Sequence, residues 1–325
     1  MKAMVYERYG PPDVFQLKEV PTPAPGVHEV LVRIRATTVR TGDWRMRKAD
    51  PFLARLFNGL FRPRRQILGF ELAGDVVAIG AAVTKFKPGD AVMASCGLDF
   101  GAYAEYRCVA EDGVLALKPA GLSYPEAAAL PSGGLAALAN LRRGQIQAGA
   151  QVLIYGASGS VGSYAVQLAR HCGAEVTGVC SGRNHAWVQA LGATATIDYT
   201  QEAITSRPER YDLIFNAVGK EISAVTPAEF KRLLRPGGRY LSINDGYKEE
   251  AAELVYLGQL AEAGDLRVVI DRCYPLAEMA AAHRYVEAGH KRGNVVILVE
   301  PAGAMPGAGG FLPGNLATIG AAAVR

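Results

Sequence analysis

The stretch Gln151-Val152-Leu153-Ile154-Tyr155-Gly156-Ala157-Ser158-Gly159-Ser160-Val161-Gly162 decides the fold of this sequence. It begins with a β-prone apolar run, and a helical pattern follows the glycines through Arg170. Glycines at 156, 159 and 162 let the backbone turn tightly, approach a phosphate closely and pack the helix onto a sheet. The helix N-terminus then offers free N–H groups and a partial positive charge to an anion. We therefore predict a strand–turn–helix unit in which residues 156 to 162 bind the pyrophosphate of a dinucleotide.

The residues around this stretch alternate between strand and helix patterns from Ser123 onward. Ser123 is a plausible N-cap, and Glu126, three positions later, would complete a capping box. Repeated β-α-β units with a glycine turn after the first strand indicate a parallel, doubly wound Rossmann sheet. The predicted strands are 151–155, 175–180, 194–198, 211–216 and 238–243.

The first third of the chain has the texture of an antiparallel β domain. Residues Glu29 to Arg35 alternate as a half-buried strand should, and Phe70 to Gly80 predict a second strand with an internal glycine. Lys87 to Asp90 form a turn signal, and Ala102 to Tyr106 alternate again. We predict a barrel-like β domain here.

After about residue 268 the pattern becomes strand, helix (276–288) and strand (295–299), a piece that could rejoin the first domain. The last residues are rich in Gly and Ala and have few large apolar groups to offset the entropy of ordering them. The fold class is thus α/β, with predicted boundaries at 1–122 (β-barrel domain), 123–267 (Rossmann domain), 268–304 (return to the first domain) and 305–325 (a flexible tail).

The end of the strand 175–180 selects the form of the dinucleotide. NAD sites carry an acidic residue there for the ribose 2′-hydroxyl, whereas NADP sites carry a basic residue for the phosphate. Here Ser181 and Arg183 follow the strand, with no acid beside them. Arginine binds a phosphate bidentately, so the sequence favours NADPH over NADH. The alternative, that Arg183 caps a helix start, is disfavoured because a cation opposes the helix dipole there.

Composition excludes several classes of partner. The 325 residues carry a net charge of only +4, half of them are hydrophobic, and the one basic cluster (Arg62, Arg64, Arg65) is short. We interpret that cluster as a solvated loop, and we expect no nucleic-acid partner. No apolar run approaches the roughly 18 residues of a membrane span, and the start lacks a signal-peptide core, so we expect no membrane partner. Five scattered cysteines without a C-x-x-C pair favour free thiols and a cytoplasmic location.

The chain resembles the medium-chain dehydrogenase/reductase superfamily over residues 1 to about 300, specifically its zinc-independent, quinone oxidoreductase-like branch related to zeta-crystallin. This resemblance implies a GroES-like β domain, completed by the C-terminal segment, around a central Rossmann domain, and homodimers are common in the family. Besides the glycine stretch, the residues that carry it are Met1–Tyr6, Lys87–Val92, Gly101–Tyr106, Gln167–Ala169, Leu191–Ala193 and Ile197–Tyr199.

The same resemblance implies which further residues flank the cofactor. Ser181, Arg183 and Tyr199 match positions around the 2′-phosphate. The segment Asn216-Ala217-Val218 lies beside the nicotinamide ribose, although Asn216 could simply end a strand. Ser242, at the end of the fifth strand, and the pair Gly293 and Asn294, near the nicotinamide, complete the set.

Zinc enzymes of this superfamily hold a catalytic metal with two cysteines and a histidine. The matching places here are Val39, Phe70 and Gly133 or its neighbours, and none of these side chains binds zinc. The five histidines show no ligand spacing, so we predict no metal. The branch also commonly has Asn or a small polar residue where this chain has Arg40, and Thr where it has Ala136, which puts the usual small-quinone substrate in doubt.

Without zinc the substrate must accept hydride readily, as quinones and α,β-unsaturated carbonyls do. We therefore predict an NADPH-dependent oxidoreductase for such acceptors, with Arg40 and Trp44 as candidate donors to the developing oxyanion. Arg40 could equally be a surface ion-pair partner. Two alternatives stay open: an enoyl or double-bond reductase of a larger acidic or thioester substrate, and a non-catalytic NADPH-binding protein.

Overall fold

The computed structural model describes residues 1–219 and 222–299 of the chain. The N-terminal part is mostly β-structure with two short helices. Its elements are β1 (Lys2–Tyr6), β2 (Phe15–Glu19), β3 (Glu29–Val39), α1 (Thr41–Lys48), α2 (Ala54–Asn58), β4 (Glu71–Ile79), β5 (Ala91–Ser95), β6 (Tyr106–Ala110) and β7 (Leu115–Leu117).

The long strand β3 organises this domain, because it pairs antiparallel with both β4 and β6. Strand β4 continues the sheet to β5, and β5 pairs with β7. A side chain at Gly74 of β4 would lie 2.1 Å from the carbonyl oxygen of Arg33. The pairing register shifts at this point, so Gly74 permits the irregular, closely approaching backbone that its position in the sequence suggested.

The central part is a parallel sheet with helices. Its elements are α3 (Tyr124–Ala129), α4 (Pro131–Gly144), β8 (Gln151–Tyr155), α5 (Ser160–His171), β9 (Glu175–Cys180), α6 (His185–Ala190), β10 (Ala195–Asp198), β11 (Tyr211–Asn216), α7 (Pro227–Arg232), β12 (Leu234–Ser242) and α8 (Ala251–Ala263). The strand order β10-β9-β8-β11-β12 is that of a Rossmann sheet, and its direction of winding reverses between β8 and β11. Ligands of such sheets bind where the strand order reverses, at the carboxyl ends of the strands.

The last described part consists of β13 (Ile270–Pro275), α9 (Met279–Glu287) and β14 (Asn294–Leu298). Strand β14 pairs antiparallel with β3, Val295 lying opposite Val39, and β13 runs parallel to β14. The chain therefore returns to the N-terminal sheet, as expected. The predicted tail 305–325 lies outside the described residues.

Local sequence signals account for most of these elements. The Ser123 hydroxyl accepts the Glu126 N–H, and the Glu126 carboxylate accepts the Ser123 N–H at 2.9 Å, which confirms the predicted capping box. Val152, Leu153 and Ile154 are fully buried, as expected for a strand covered on both faces. In the described part of the chain, no helix has both the length and the apolar character needed to cross a bilayer.

Two local predictions were wrong. Ala102 to Tyr106 does not form a strand: the backbone has positive φ at Phe100 and Gly101, and Ala104 makes only an isolated bridge to Ala3. Regular pairing starts at Tyr106, opposite Arg33. The C-terminal helix begins at Met279 instead of Leu276, because residues 276–278 form a 3-10 turn.

Candidate cofactor and active site

The glycine turn between β8 and α5 has a different physical requirement at each glycine. Gly156 has φ +84°, and a Cβ there would lie 2.3 Å from Val218. A Cβ at Gly162 would lie 2.1 Å from the Gly156 carbonyl oxygen. Gly156 thus makes the tight turn against the loop that follows β11, and Gly162 lets α5 pack closely on that turn.

Gly159 faces open space. A Cβ built on it would meet only the Gly156 carbonyl oxygen, at an ordinary 3.4 Å, and its φ of −80° is accessible to any residue. Among the described residues no side chain caps the N-terminus of α5, and its first N–H groups have no intrahelical partner. An uncapped helix end beside a backbone without a side chain fits the pyrophosphate of a dinucleotide.

The C-terminal segment is tied to this turn. Gly293 donates its N–H to the Ser158 carbonyl at 3.0 Å and forms a parallel bridge with Gly159. The Ser160 hydroxyl donates to the amide oxygen of Asn294, whose amide nitrogen bonds the Tyr164 hydroxyl at 3.2 Å. Residues 158–160 and 293–294 therefore lie together, although they are far apart in the sequence.

Ser181, Arg183 and Tyr199 lie in the loops that follow β9 and β10, with Arg183 and Tyr199 exposed. Two neighbours of these residues were not predicted from the sequence. Arg292 donates to the Arg183 carbonyl at 3.1 Å, which adds a second guanidinium to this edge. Asp198 lies close to Gly182. The hydroxyl and backbone N–H of Thr200 lower the pKa of Asp198 most, and the Gly182 N–H lowers it further. The sequence predicted no acidic residue beside Ser181 and Arg183, but Asp198 from the end of β10 lies there.

Three of the predicted cofactor-binding residues contact the loops or turns beside the switch point: Asn216, Val218 and Ser242. Asn216 is buried, and its amide oxygen accepts the N–H groups of Val218 and Gly219, each at 3.2 Å. Ser242 is buried and accepts the Asn244 N–H at 3.3 Å. Val218 packs against Gly156. Asn216 and Ser242 therefore act as positioning residues for the loops at the switch point, and Ala217 donates its N–H to the carbonyl oxygen of Tyr155 at the end of β8, at 3.0 Å.

Arg40 lies where β3 passes into α1, among buried acids. Its guanidinium stacks 3.5 Å from the centre of the Phe70 ring, and its Nε is buried without a hydrogen-bond partner among the described residues. Asp43 accepts the N–H groups of Arg40 and Gly69 at 3.0 and 3.1 Å. Burial raises the pKa of Asp43 to about 7, and the Arg40 charge opposes that rise. Arg40 is therefore not a surface ion-pair partner.

Glu71 is the second buried acid in this cleft, and sequence analysis missed it. It accepts the Ser132 N–H at 2.7 Å and the Thr38 hydroxyl, so it joins β3, β4 and α4. Burial raises its pKa, and Arg40 is the largest influence in the other direction. Such acids could not be recognised from sequence, because their partners are distant in the chain.

Two aromatic side chains complete the surroundings. Trp44 is half-buried on α1, with the Lys48 ammonium 5.8 Å from its ring centre. Tyr247, from the loop after β12, is half-buried and donates to Glu249 at 3.3 Å, while Glu249 accepts the Ser95 hydroxyl at 2.5 Å across the cleft. Burial and the Glu249 charge raise the pKa of Tyr247, whereas the Arg40 charge lowers it.

Comparisons with known proteins give the family. A model for the alcohol dehydrogenase GroES-like domain matches residues 26–119, and one for zinc-binding dehydrogenases matches residues 244–297. An NADPH-dependent alkenal/one oxidoreductase of Arabidopsis thaliana is 31% identical over 93% of this chain and 80% of its own length. The chain belongs to the medium-chain dehydrogenase/reductase superfamily.

Further comparisons agree with that assignment. A quinone oxidoreductase of Pseudomonas aeruginosa is 30% identical over 91% of this chain and 99% of its own length. The structure of the quinone oxidoreductase from Coxiella burnetii has a TM-score of 0.82 and 31% identity, and the match covers 92% of this chain and 99% of that one. The predicted GroES-like and Rossmann architecture is therefore confirmed, and this superfamily member is an oxidoreductase.

The resemblance predicts that Val39, Phe70 and Gly133 or its neighbours stand at the metal-ligand positions of the zinc enzymes. Val39 and Phe70 are buried among apolar side chains, and a Cβ at Gly133 would lie 2.7 Å from the Ser160 hydroxyl. Across residues 1–219 and 222–299, no group of three or more His, Cys, Asp or Glu side chains is arranged to hold a metal ion. In place of ligands, the cleft presents the face of Phe70 under the Arg40 guanidinium.

Proposed function

We propose that this protein reduces quinones or α,β-unsaturated carbonyls with NADPH and without zinc. The observation that carries the proposal is the open face of Gly159 at the uncapped end of α5, bridged directly to Gly293. That face lies at the switch point of the Rossmann sheet, where a dinucleotide binds. The NADPH-dependent alkenal/one reductase and the quinone oxidoreductases among its relatives support both the reaction and the cofactor.

The cofactor is NADPH because cations outnumber acids at the edge formed by β9 and β10. Arg183 and Arg292 lie together there, and Tyr199 is exposed beside them. Asp198 opposes a 2′-phosphate, but its carboxylate accepts the backbone and hydroxyl groups of Thr200 at 2.9 and 2.7 Å. Two guanidinium groups that can bind a phosphate bidentately outweigh one partly satisfied carboxylate.

When bound, NADPH supplies the hydride. The turn at residues 156–162 and the bridge to Gly293 would hold the dinucleotide, and Asn216 and Val218 position the loop that follows β11. Arg40, with an unpartnered buried Nε, donates to the oxygen on which negative charge develops. The Arg40 charge acts on the buried carboxyls of Asp43 and Glu71, whose pKa values it lowers against the effect of burial, and Trp44 on α1 is the second candidate donor.

Substrates that delocalise charge suit such a site. With Val39, Phe70 and Gly133 at the metal-ligand positions, no protein zinc ligand lies there to stabilise an alkoxide. Quinones and enones place the incoming electron pair on a conjugated oxygen, where a single cationic donor suffices. Simple alcohols lack this help.

A second candidate is an enoyl or double-bond reductase for a larger acidic or thioester substrate. The Arg40 cation, at a position where the branch commonly has Asn, favours it. A non-catalytic NADPH-binding protein is the remaining alternative. We also propose a cytoplasmic homodimer: the five cysteines, all of them described, are free thiols, and homodimers are common in the branch.

The test is steady-state NADPH oxidation with a panel of quinones, small enones and enoyl thioesters. The proposal expects turnover with quinones or small enones and a large loss in Arg40→Ala. Turnover confined to thioesters would select the second candidate. Tight NADPH binding without turnover of any acceptor would show a binding protein and overturn the enzymatic assignment.

A further inference from the structure

Six large apolar side chains lie exposed within ten residues of the N-terminal domain. Their exposed fractions run from 45% to 88%, the highest being that of Phe61. Elsewhere among the described residues, exposed large apolar side chains are scattered along the chain. Soluble proteins rarely gather such side chains on one surface unless that surface binds a partner. The six, which we call the apolar face, are Phe52, Leu53, Leu56, Phe57, Leu60 and Phe61.

The segment that carries the apolar face is also strongly basic. Residues 51–70 contain Arg55, Arg62, Arg64 and Arg65 and no Asp or Glu. Arg62 and Arg64 are exposed, and the Arg55 guanidinium lies 5.2 Å from the ring centre of Phe52. From the sequence alone, Arg62, Arg64 and Arg65 were predicted to lie in a solvated loop. Their position beside the apolar face gives them a different meaning, because such a pairing is typical of surfaces that enter a lipid headgroup layer.

We propose that the apolar face and its arginines dock this protein on bilayers that contain anionic phospholipids. Phe and Leu side chains would enter the boundary between headgroups and acyl chains, while the guanidinium groups bind lipid phosphates. Arg65 is ion-paired with Asp99 at 2.8 Å, and the charges of the other three arginines complement an anionic surface and repel a second copy presenting the same segment. Leucines do not stack on bases, so a single-stranded nucleic acid fits less well.

Aromatic packing contacts connect the apolar face with the candidate active site. The Phe57 ring packs edge-on against Phe100 with a centroid distance of 6.4 Å, and Phe100 packs against Phe70 at 4.7 Å. Arg40 lies on the other face of that contact, 3.5 Å from the Phe70 ring centre. If the proposed function holds, docking brings the candidate site close to acceptors dissolved in the bilayer. The docking itself does not depend on that function.

The test is co-sedimentation of the full chain with vesicles of phosphatidylcholine, alone or mixed with phosphatidylserine. We expect binding to the mixed vesicles that weakens as salt is raised, and little binding to phosphatidylcholine alone. The double variant Leu56→Ser/Phe61→Ser should lose roughly tenfold or more in affinity, because it removes two inserted side chains. Arg62→Gln/Arg64→Gln should lose affinity for the mixed vesicles selectively. A matched control, Leu17→Ser/Leu117→Ser, removes exposed leucines elsewhere and should bind as the wild type does.

The readouts separate this proposal from its rivals. NADPH oxidation with a water-soluble acceptor should be the same in the Leu56→Ser/Phe61→Ser variant as in the wild type, which shows that the variant is folded. Wild-type protein that stays in the supernatant with both vesicle types would overturn the docking. So would a wild-type dimer that dissociates in this variant by sedimentation equilibrium, since that result assigns the apolar face to a second copy.

Discussion

Gly159 is the residue at which a side chain would obstruct dinucleotide binding most directly. Its backbone tolerates any residue, and only the space outside it is reserved. We therefore expect Gly159→Val to fold normally but to lose most NADPH affinity, because the branched side chain fills the position of the pyrophosphate. Isothermal calorimetry measures the affinity and thermal unfolding the stability. The matched control is Gly121→Val, where a Cβ meets nothing closer than 3.8 Å. Unchanged affinity in folded Gly159→Val would mean that the dinucleotide binds elsewhere.

Arg183 and Arg292 should set the preference for NADPH over NADH. Each charge-assisted phosphate contact stabilises binding by about 1.5–3 kcal/mol, so either change to Ala should reduce the preference roughly tenfold. Asp198→Asn should shift the preference the opposite way, because it removes a negative charge beside Gly182. The comparison is the ratio of dissociation constants for the two cofactors, with exposed Arg232→Ala as the control. A wild type that binds both cofactors equally well contradicts the assignment.

Lys291 should make cofactor binding depend on pH. Its ammonium donates to the Gly293 carbonyl at 2.6 Å, and burial lowers its pKa to about 8. Below that pH the group carries a positive charge near the proposed phosphate site, and above it the charge is lost. NADPH affinity should therefore fall as pH rises through about 8 and beyond, whereas Lys291→Met should bind more weakly at pH 7 and show a flatter profile. Lys248→Met, at an exposed site, should keep the wild-type slope; a flat wild-type profile would exclude this role for Lys291.

At the scale of elements, the capping box of α3 gives a stability prediction. Ser123 and Glu126 satisfy each other's backbone N–H groups at the start of a helix whose residues 127–129 are fully buried. Ser123→Ala should lower the free energy of unfolding by roughly 0.5–2 kcal/mol. Chemical denaturation measures the change, and Thr226→Ala at the capping box of α7 offers a comparison on a helix with less buried surface. An effect within error at Ser123 would show that tertiary packing alone fixes α3.

Local signals were sufficient to predict the Rossmann elements. Buried strands, a glycine turn and an N-cap act over a few residues, so β8, β9 and β11 match the predicted bounds. Strand β12 begins at Leu234 instead of 238, since its pairing with β11 starts early and then shifts register. Ala102–Tyr106 failed because alternation cannot reveal the positive φ at Phe100, which turns the chain away from the sheet.

The candidate site was only partly predictable, for a physical reason. The glycine turn, Arg183 and Arg40 could be recognised from their residue types and the sequence next to them. Arg292, Asp198 and Glu71 acquire a role only when the fold brings distant segments together. Arg292 contacts a loop more than a hundred positions earlier, and Glu71 accepts an N–H from α4. No local spacing in the sequence indicates that these distant residues are in contact.

At the scale of the molecule, the candidate site lies where the Rossmann sheet meets the sheet of the N-terminal domain. The Gly159–Gly293 bridge and the Ser95–Glu249 hydrogen bond join segments from both domains along the cleft. The hydride donor is expected on the Rossmann side and Arg40 on the other. Substrate selection should therefore follow from how the GroES-like domain, which carries Arg40, lines the cleft.

The last prediction concerns the chemistry of the whole enzyme: activity should survive exhaustive chelation, and simple alcohols should not be oxidised. The residues predicted at the metal-ligand positions are Val39, Phe70 and Gly133 or its neighbours, and a catalytic zinc would otherwise stabilise an alkoxide by several kcal/mol. Conjugated acceptors need less help because their charge is already delocalised. The measurement is NADPH oxidation with a quinone or an enone, with and without chelator, beside elemental analysis of the purified protein and an alcohol-oxidation assay with NADP. Stoichiometric zinc together with chelator-sensitive alcohol oxidation would contradict the zinc-free mechanism and require ligands other than these three positions.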